Sequence, residues 1–275
     1  MKKIEVTEHN PEWSLWFKEE AAKLKYSLGN NCVNIYHIGS TAVPGLYAKP
    51  KIDIIAEMKS LSESHLSLQK IDYEFRGEFN IPMRHFFRKN DPHDINLHLY
   101  EKDNPDIELN ILFRDFLINS SEAKAEYNKL KLSLLKNNKS HVKENSIFTG
   151  YNLGKDVFIR KTLDKSGYNG LSFRFCTHHA EWNAYHDIAR DFFKEHDISY
   201  NLNHPNFSDR NYYHFTLSRG TKIVAIAELK WESKTKPSIK YVYSINPQNR
   251  PNLEKHLRNL ITRWIESIQS THKHI

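Results

Sequence analysis

Apolar residues recur at helical spacing near both ends of the chain. After Pro11, apolar side chains follow one another every three or four positions and stop at Gly29, which predicts a first helix. A similar pattern begins at Pro251 and predicts a closing helix. Further helices are predicted over residues 62–71, 106–135, 146–163 and 179–195. Helices are therefore expected in both halves of the chain.

Shorter apolar runs lie between these helices and are typical of β-strands. In the run 94–100, apolar residues alternate with Asn96, His98 and Tyr100, which indicates a half-buried strand with one polar face. Other strands are predicted over residues 33–38, 52–56, 171–175, 212–217, 222–231 and 238–245. Strands and helices mixed in this order predict an α+β fold.

A predicted linker divides this order of elements into two parts. Residues 166–170 contain two glycines in five positions, and the pattern of strands and helices starts again after them. A length of 275 residues also suits two domains better than one core. We therefore predict one domain over residues 1–167 and a smaller one over residues 171–275.

The charge balance narrows the range of partners. A formal net charge of +7 favours anionic ligands such as phosphates, nucleotides and coenzyme A. Basic and acidic residues are interleaved without a dense basic run, which disfavours dedicated nucleic-acid binding. The sequence contains neither a signal-peptide pattern nor an apolar run long enough for a bilayer, so we expect a cytoplasmic protein that does not bind membranes. For Cys32 and Cys176 we favour buried free thiols, with a disulfide left open.

The segment with the most chemical information covers residues 37–54 and reads HIGSTAVPGLYAKPKIDI. A strand that ends in Gly39 and Ser40 lets the backbone approach a phosphate, to which the hydroxyl and exposed N–H groups donate. Asp53 on the following strand can hold a divalent metal against the same phosphate. The segment therefore predicts a phosphate-binding turn with a neighbouring carboxylate.

This segment resembles the GrpB family, whose fold is similar to that of the nucleotidyltransferase superfamily. The resemblance extends over residues 1–165 through further motifs, namely Pro11-Glu12-Trp13, Asn96-Leu97-His98-Leu99, Phe113-Arg114-Asp115, Tyr127 with Leu130-Lys131, and Gly154-Lys155. It implies an N-terminal nucleotidyltransferase-like mixed sheet with helices. It also implies a small phosphate ligand, either a nucleotide or a coenzyme A-like molecule.

The resemblance suggests catalytic residues and a metal. Active nucleotidyltransferases hold two metal ions with two acids on alternate positions of the strand after Gly-Ser and a third acid on a neighbouring strand. Asp53 matches the first acid, Ile55 occupies the second position, and His98 is expected at the third. Asp53 and His98 are thus the implied catalytic residues and metal ligands, for Mg²⁺ or Mn²⁺ with zinc as a further candidate. Glu57 shares a strand face with Asp53, but about 13 Å of strand separates them.

Each candidate residue also has a structural interpretation, and both interpretations stay open. Ser40 can cap the following turn, Asp53 can pair with Lys49 or Lys51, and His98 can be a hydrogen-bonded strand residue. The candidate phosphate-binding residues can likewise serve only local structure or solvation; they are Gly39, Ser40, Thr41, Lys49 and Arg84.

The second half resembles the first part of a GNAT acetyltransferase domain, a smaller α/β domain. Residues 214–229 resemble the central hairpin of that family and residues 241–245 its coenzyme-binding strand. GNAT enzymes bind the pyrophosphate of acetyl-CoA at a glycine-bearing turn before a helix, whereas residues 248–255 contain no glycine and Pro251 removes one N–H donor. A shortened domain without acetyl-CoA is therefore expected. Its uncovered sheet edge predicts packing on another surface or a homodimer.

Two functions remain open at this point. One is a transferase of the nucleotidyltransferase type that uses Ser40, Asp53 and His98 around a nucleotide or coenzyme A-like ligand. The other is a binding module that keeps this pocket and performs no reaction. Acetylation by the second half is a distant third.

Overall fold

The computed structural model describes residues 4–62, 64–143, 147–177, 179–233 and 235–271. The chain divides into two compact units, of which the first comprises Met1–Phe79 with Arg84–Gly170 and the second comprises Asn80–Met83 with Leu171–Ile275. The main division lies at the glycine-containing linker. No helix of the described residues has the length and apolar character needed to cross a membrane.

The first unit contains a mixed five-stranded sheet. Its strands are β1 (Cys32–Ile38), β2 (Ile52–Met58), β3 (Glu74–Phe75), β4 (His85–Lys89) and β5 (Ile95–Glu101). The spatial order is β1-β2-β5-β4-β3, in which β2 and β5 are parallel and the other neighbours are antiparallel. The sequence pattern predicted β1, β2 and β5 but neither β3 nor β4.

Helices before and after the strands complete the first unit. They are α1 (Glu12–Leu28), α2 (Ser64–Gln69), α3 (Pro105–Asn119), α4 (Ser121–Leu135), α5 (Gly150–Leu153) and α6 (Asp156–Lys165). The single helix predicted over residues 106–135 is broken at Ser120, whose extended backbone and hydroxyl cap α4 through the Ala123 N–H. The helix predicted over residues 146–163 is also divided into α5 and α6; its expected first residue, Ser146, lies outside the described residues.

The two faces of this sheet differ. One face packs in a core with α1 and α2, to which Trp13, Ile54 and Leu97 contribute. Because side chains alternate along a strand, Asp53 on β2 and Asn96 on β5 lie on the opposite face. The parallel register places these two residues directly beside each other.

The second unit is a four-stranded antiparallel sheet between two helices. Its elements are β6 (Leu171–Phe175), α7 (His179–Glu195), β7 (Tyr212–Arg219), β8 (Lys222–Ser233), β9 (Lys236–Ser244) and α8 (Arg250–Thr271). On one face Ala225 and Ala227 pack with α8, and on the other Ile226 packs with α7. The strand order β6-β7-β8-β9 leaves β6 and β9 as edges, and the homodimer stays a prediction. Cys32 is buried, Cys176 is partly buried, and neither forms a disulfide.

Candidate functional site

The Gly39–Ser40 turn directly follows β1 and lies against Asp53. Gly39 has a φ of 72° and a ψ of −168°, a conformation that is essentially restricted to glycine. A Cβ atom at Gly39 would lie 2.7 Å from Asp53 Oδ2. Only glycine therefore allows this turn and this carboxylate to approach so closely.

Asp53 is a half-buried carboxylate with one strong protein contact. Its Oδ1 atom accepts a hydrogen bond of 2.8 Å from Asn96 Nδ2 on the neighbouring strand. Burial raises the pKa of Asp53, and the Asn96 hydrogen bond and the charges of Lys51 and Lys155 oppose this increase. The Oδ2 atom faces Gly39, so the carboxylate borders the turn.

Lys131 of α4 is buried behind the hydroxyl of Ser40. Only 1% of Lys131 is exposed, and its Nζ atom lies 3.3 Å from Ser40 Oγ and 4.5 Å from the centre of the Tyr127 ring. The same Nζ atom donates to the Tyr47 carbonyl. Burial, and secondly the charge of Lys155, lowers the pKa of Lys131 to about 7.

Helix α4 also holds the loop that follows the turn. The Asn128 side chain accepts a 2.8 Å hydrogen bond from the Tyr47 N–H and donates one of 3.1 Å to the Gly45 carbonyl. Together with Lys131, these contacts attach the loop between β1 and β2 to a single helical turn.

Two more lysines lie at this site without a protein acceptor. The Nζ atoms of Lys49 and Lys155 are each 4.8 Å from the centre of the Tyr151 ring. Burial lowers the pKa of both, that of Lys155 to about 8, and the charge of Asp53 opposes the shift in each. Neither ammonium donates a hydrogen bond to any part of the chain that the structure describes. We call Lys49, Lys131 and Lys155 the lysine cluster.

Thr41, a predicted phosphate ligand, instead closes the turn from inside. It is 2% exposed, and its hydroxyl donates to the Lys51 carbonyl and contacts His37 Nε2 at 3.1 Å. His37 stacks on Phe17, and burial together with the Arg114 charge lowers its pKa to about 4. Thr41 and His37 therefore support the turn, and Ser40 is the hydroxyl that remains accessible.

The structure places His98 and Arg84 further along the sheet. The sequence assigned the third acid position to His98, whereas the strand register puts Asn96 beside Asp53 and His98 beside Ile55. His98 is thus roughly 7 Å further along β5. It stacks on Phe86.

Arg84 is buried near this histidine rather than at the turn. Its guanidinium lies 3.5 Å from His98 Nδ1 and donates to the Glu78 carbonyl. Burial, and secondly the Arg84 charge, keeps the pKa of His98 well below its usual value. The structure therefore brings together Gly39, Ser40, Asp53 and Lys49, and groups Arg84 with His98.

The residues present do not fit the two-metal centre that the resemblance implies. Ile55 is fully buried, and Glu57 accepts hydrogen bonds from Asn34 at 2.7 Å and Tyr36 at 3.1 Å. Asp53 borders the turn and already accepts a hydrogen bond from Asn96. Among the described residues, no three His, Cys, Asp or Glu side chains form a group suited to a metal. We therefore derive no step that passes through a metal ion.

Sequence reasoning assigned no role to Lys131 and Lys155, although both lie in motifs that carried the family resemblance. A signal was present for Lys131. It follows Tyr127 by four positions and precedes Leu134 by three, so it lies on the apolar face of α4, where a lysine is unusual. For Lys155 we find no such local signal.

Comparison with known proteins matches the first unit. Residues 3–165 match the family described as GrpB protein. The UPF0157 protein YqkA of Bacillus subtilis is 33% identical over 163 residues, which cover 58% of this chain and 46% of YqkA. The chain thus spans about half the length of that relative. The glutamate-rich protein GrpB of Alkalihalophilus pseudofirmus is 29% identical over 135 residues, 46% of this chain and 78% of that protein.

A solved structure is also similar to this chain. The crystal structure of the conserved protein GrpB from Enterococcus faecalis has a TM-score of 0.52 and 34% sequence identity. The match covers 59% of this chain and 96% of that one.

Proposed function

The chain belongs to the GrpB family, and from this premise we propose that its first unit binds a phosphate-bearing small molecule, either a nucleotide or a coenzyme A-like ligand, at the Gly39–Ser40 turn. The observation that carries this proposal is the pair of half-buried ammonium groups of Lys49 and Lys155. Neither donates to a protein acceptor among the described residues, so both ammonium groups keep their donors for a ligand. A phosphate supplies such acceptors.

The charges at the site also favour an anion. Burial lowers the pKa of Lys49 and that of Lys155, and both residues lie close enough to Asp53 for its charge to oppose this shift. Two ammonium groups thus lie beside one carboxylate, and an anionic ligand balances the remaining positive charge. A bound phosphate raises the pKa values of Lys49 and Lys155 again, because it stabilises their charged forms.

Individual residues can be assigned to parts of the ligand. Lys49 and Lys155 donate to phosphate oxygens, and Gly39 leaves room for the phosphate to approach the backbone. Lys131 keeps the Ser40 hydroxyl in place, and Asn96 orients Asp53. Asp53 then limits the excess positive charge and faces the hydroxyl-bearing part of the ligand.

We propose a supporting role for the second unit. Its four antiparallel strands and the following α8 agree with a shortened GNAT-like domain. At the start of α8, Arg250 donates to both carboxylate oxygens of Glu195, at 2.8 and 3.1 Å. This arginine is thereby engaged within the second unit.

Ligand-induced thermal stabilisation of the full chain tests the binding function. We expect ATP, coenzyme A and inorganic pyrophosphate to raise the Tm, and adenosine and pantetheine, which carry no phosphate, to leave it unchanged. Lys155→Met should weaken binding of the best ligand by about tenfold, or about 1.4 kcal/mol. The matched control is Lys129→Met, an exposed lysine on α4. Equal effects of ATP and adenosine, or no stabilisation by any of these compounds, would refute the proposal.

A further inference from the structure

Ser40 and Lys131 differ in exposure although they touch each other. Ser40 is half-buried and reachable at the turn, while Lys131 is 1% exposed and lies behind it with its Nζ atom 3.3 Å from Ser40 Oγ. A ligand can therefore contact the hydroxyl and cannot reach the amine. In this arrangement the amine can exchange a proton with the hydroxyl and is shielded from bulk water.

The surroundings of Lys131 favour its neutral form. Its contacts are a hydroxyl, the Tyr47 carbonyl and the Tyr127 ring, and it forms no ion pair with a carboxylate of the described residues. The charge of Lys155 adds repulsion. A buried amine without a counter-ion loses its proton more readily than an exposed one, and the pKa of about 7 agrees with this. A neutral amine beside a hydroxyl is suited to act as a general base.

We infer that Ser40 and Lys131 form a nucleophile–base pair, in which Ser40 takes a phosphoryl or nucleotidyl group from a phosphoanhydride bound at the turn. This inference rests on the proposed phosphate-binding function. Ser40 Oγ attacks phosphorus and forms a new P–O bond, and its proton moves to Lys131 Nζ. The bond from phosphorus to the bridging oxygen breaks, and the electron pair leaves with the nucleoside diphosphate in phosphoryl transfer or with pyrophosphate in nucleotidyl transfer. The product is a phosphate ester of Ser40, which water or an acceptor hydroxyl can then cleave.

The other groups at the turn are compatible with this step. The ammonium groups of Lys49 and Lys155 have donors to stabilise the charge on the leaving phosphate, as lysines commonly do in phosphoryl transfer. The adjacent hydroxyl of Thr41 is buried and already donates to the Lys51 carbonyl. Of the two neighbouring hydroxyls, Ser40 is therefore the one available for attack.

Mass spectrometry of the full chain after incubation with ATP and acid quenching tests the inference. The expected result is a covalent adduct on Ser40 with the mass of either a phosphoryl or an adenylyl group, which also identifies the bond that breaks. Ser40→Ala should abolish the adduct, whereas Ser133→Ala, at an exposed serine of α4, should not.

A second set of variants separates a proton-accepting role from a structural one. Lys131→Arg keeps a donor and a charge but cannot become neutral, so adduct formation should fall at least about tenfold while ATP still raises the Tm. Lys129→Arg is the control on the same helix. In Lys131→Ala, added methylamine should restore part of the rate if the lost group was a base, and a purely structural lysine would show no such rescue.

The outcomes distinguish this inference from the binding proposal. If ATP stabilises the protein and no adduct forms, the nucleophile assignment is wrong and the binding function stands. An adduct whose rate is the same in Lys131→Arg overturns the role of the lysine. An adduct that forms with acetyl phosphate as an acetyl group, and never with ATP, overturns the phosphoanhydride class. Failure of ATP, coenzyme A and pyrophosphate alike to bind refutes the proposed function itself.

Discussion

Both units bury polar groups on one face of a sheet, and they differ in how those groups are satisfied. In the second unit, Asn206 donates to the Glu228 carboxylate, and His214 lies 3.6 Å from it and contacts the Tyr185 hydroxyl at 3.2 Å. In the first unit, the ammonium of Lys155 faces an aromatic ring and finds no acceptor among the described residues. Buried polar groups that hydrogen-bond to one another indicate a structural role, whereas polar groups that keep unused donors indicate a ligand-binding role.

Shifted pKa values alone would not distinguish the polar groups of the first unit from those of the second. Burial raises the pKa of Glu228 to about 7, and it lowers that of Lys155 to about 8. Both are large shifts with the same main cause. The difference lies in the contacts, because the Glu228 side chain has protein partners and the Lys155 side chain does not. Candidate sites are therefore better identified by unmet hydrogen bonds than by pKa shifts alone.

The largest loss of stability is expected from a substitution at the Gly39–Ser40 turn, where the backbone lies close to the Asp53 carboxylate. Gly39→Ala should lower the free energy of unfolding by about 3 kcal/mol, because it adds backbone strain and forces Asp53 away. Phosphate-dependent stabilisation should be lost as well. Gly77→Ala is the control, since Gly77 has a φ of 75° and no atom within 4 Å of an added Cβ. It should cost about 1 kcal/mol and leave ligand binding intact. Urea denaturation measures the free energy of unfolding of both variants. Equal losses would show that the close contact with Asp53 does not contribute.

The closed network of the second unit should be sensitive to removal of a member. Glu228→Ala leaves the Asn206 donor without its acceptor and should reduce the free energy of unfolding by about 2 kcal/mol. Ligand stabilisation should not change. On the same strand, the exposed Glu232 pairs with Lys230 and Lys240, and Glu232→Ala should cost well under about 1 kcal/mol. A loss of phosphate binding in Glu228→Ala would contradict the separation of roles.

Removal of a member of the lysine cluster should change the stability in the opposite direction. Lys155→Met removes a partly buried charge whose attraction to Asp53 does not offset the cost of its burial, so the ligand-free protein should gain up to about 1 kcal/mol in stability while it loses affinity for phosphate. Differential scanning of the ligand-free protein measures the gain, with Lys129→Met as reference. A clear loss of stability would indicate that Lys155 has a structural partner.

The smallest effect is a difference in pH dependence. Lys131 and Lys155 have folded-state pKa values of about 7 and about 8, below the usual 10.5, so the unfolded chain binds more protons above pH 7. Their contribution to stability therefore rises with pH from about 7 upward, and phosphate stabilisation declines as Lys155 loses its charge. Glu228 has a raised pKa of about 7 against 4.5, so its contribution falls between those values. Tm measured against pH tests both contributions. Lys155→Met should flatten the part of the curve that rises with pH, and Glu228→Gln should flatten the part that falls with pH. Unchanged slopes would contradict the assignment.

The sequence could predict the elements whose evidence is local. Strand β6 and helix α7 have the predicted bounds, because apolar periodicity and the glycine linker mark them. Strand β4 was missed because one of its two buried residues, Lys89, is charged. Lys89 is tolerated there through a 3.0 Å ion pair with Glu20 of α1, which is 69 positions away and invisible to any local pattern.

The same limit applies to the site. The proximity of Gly39 and Asp53 follows from one short segment and its strand–turn–strand pattern. The contact between Ser40 and Lys131 spans 91 positions and depends on how α4 packs, so the family motif could mark the lysine without revealing its neighbour. The position of Asn96, and not His98, beside Asp53 depends on the register of two parallel strands, which side-chain alternation alone cannot fix.

The hydrogen bonds between α4 and the loop that joins β1 to β2 affect how these segments open. Asn128 and Lys131 hold the backbone of Gly45 and Tyr47 from one helical turn. Ser40 is thereby tied to the helix as well as to the strand before it. Local opening of α4 would release the loop and the reactive hydroxyl together, so these segments should exchange their amide hydrogens as a single cooperative unit.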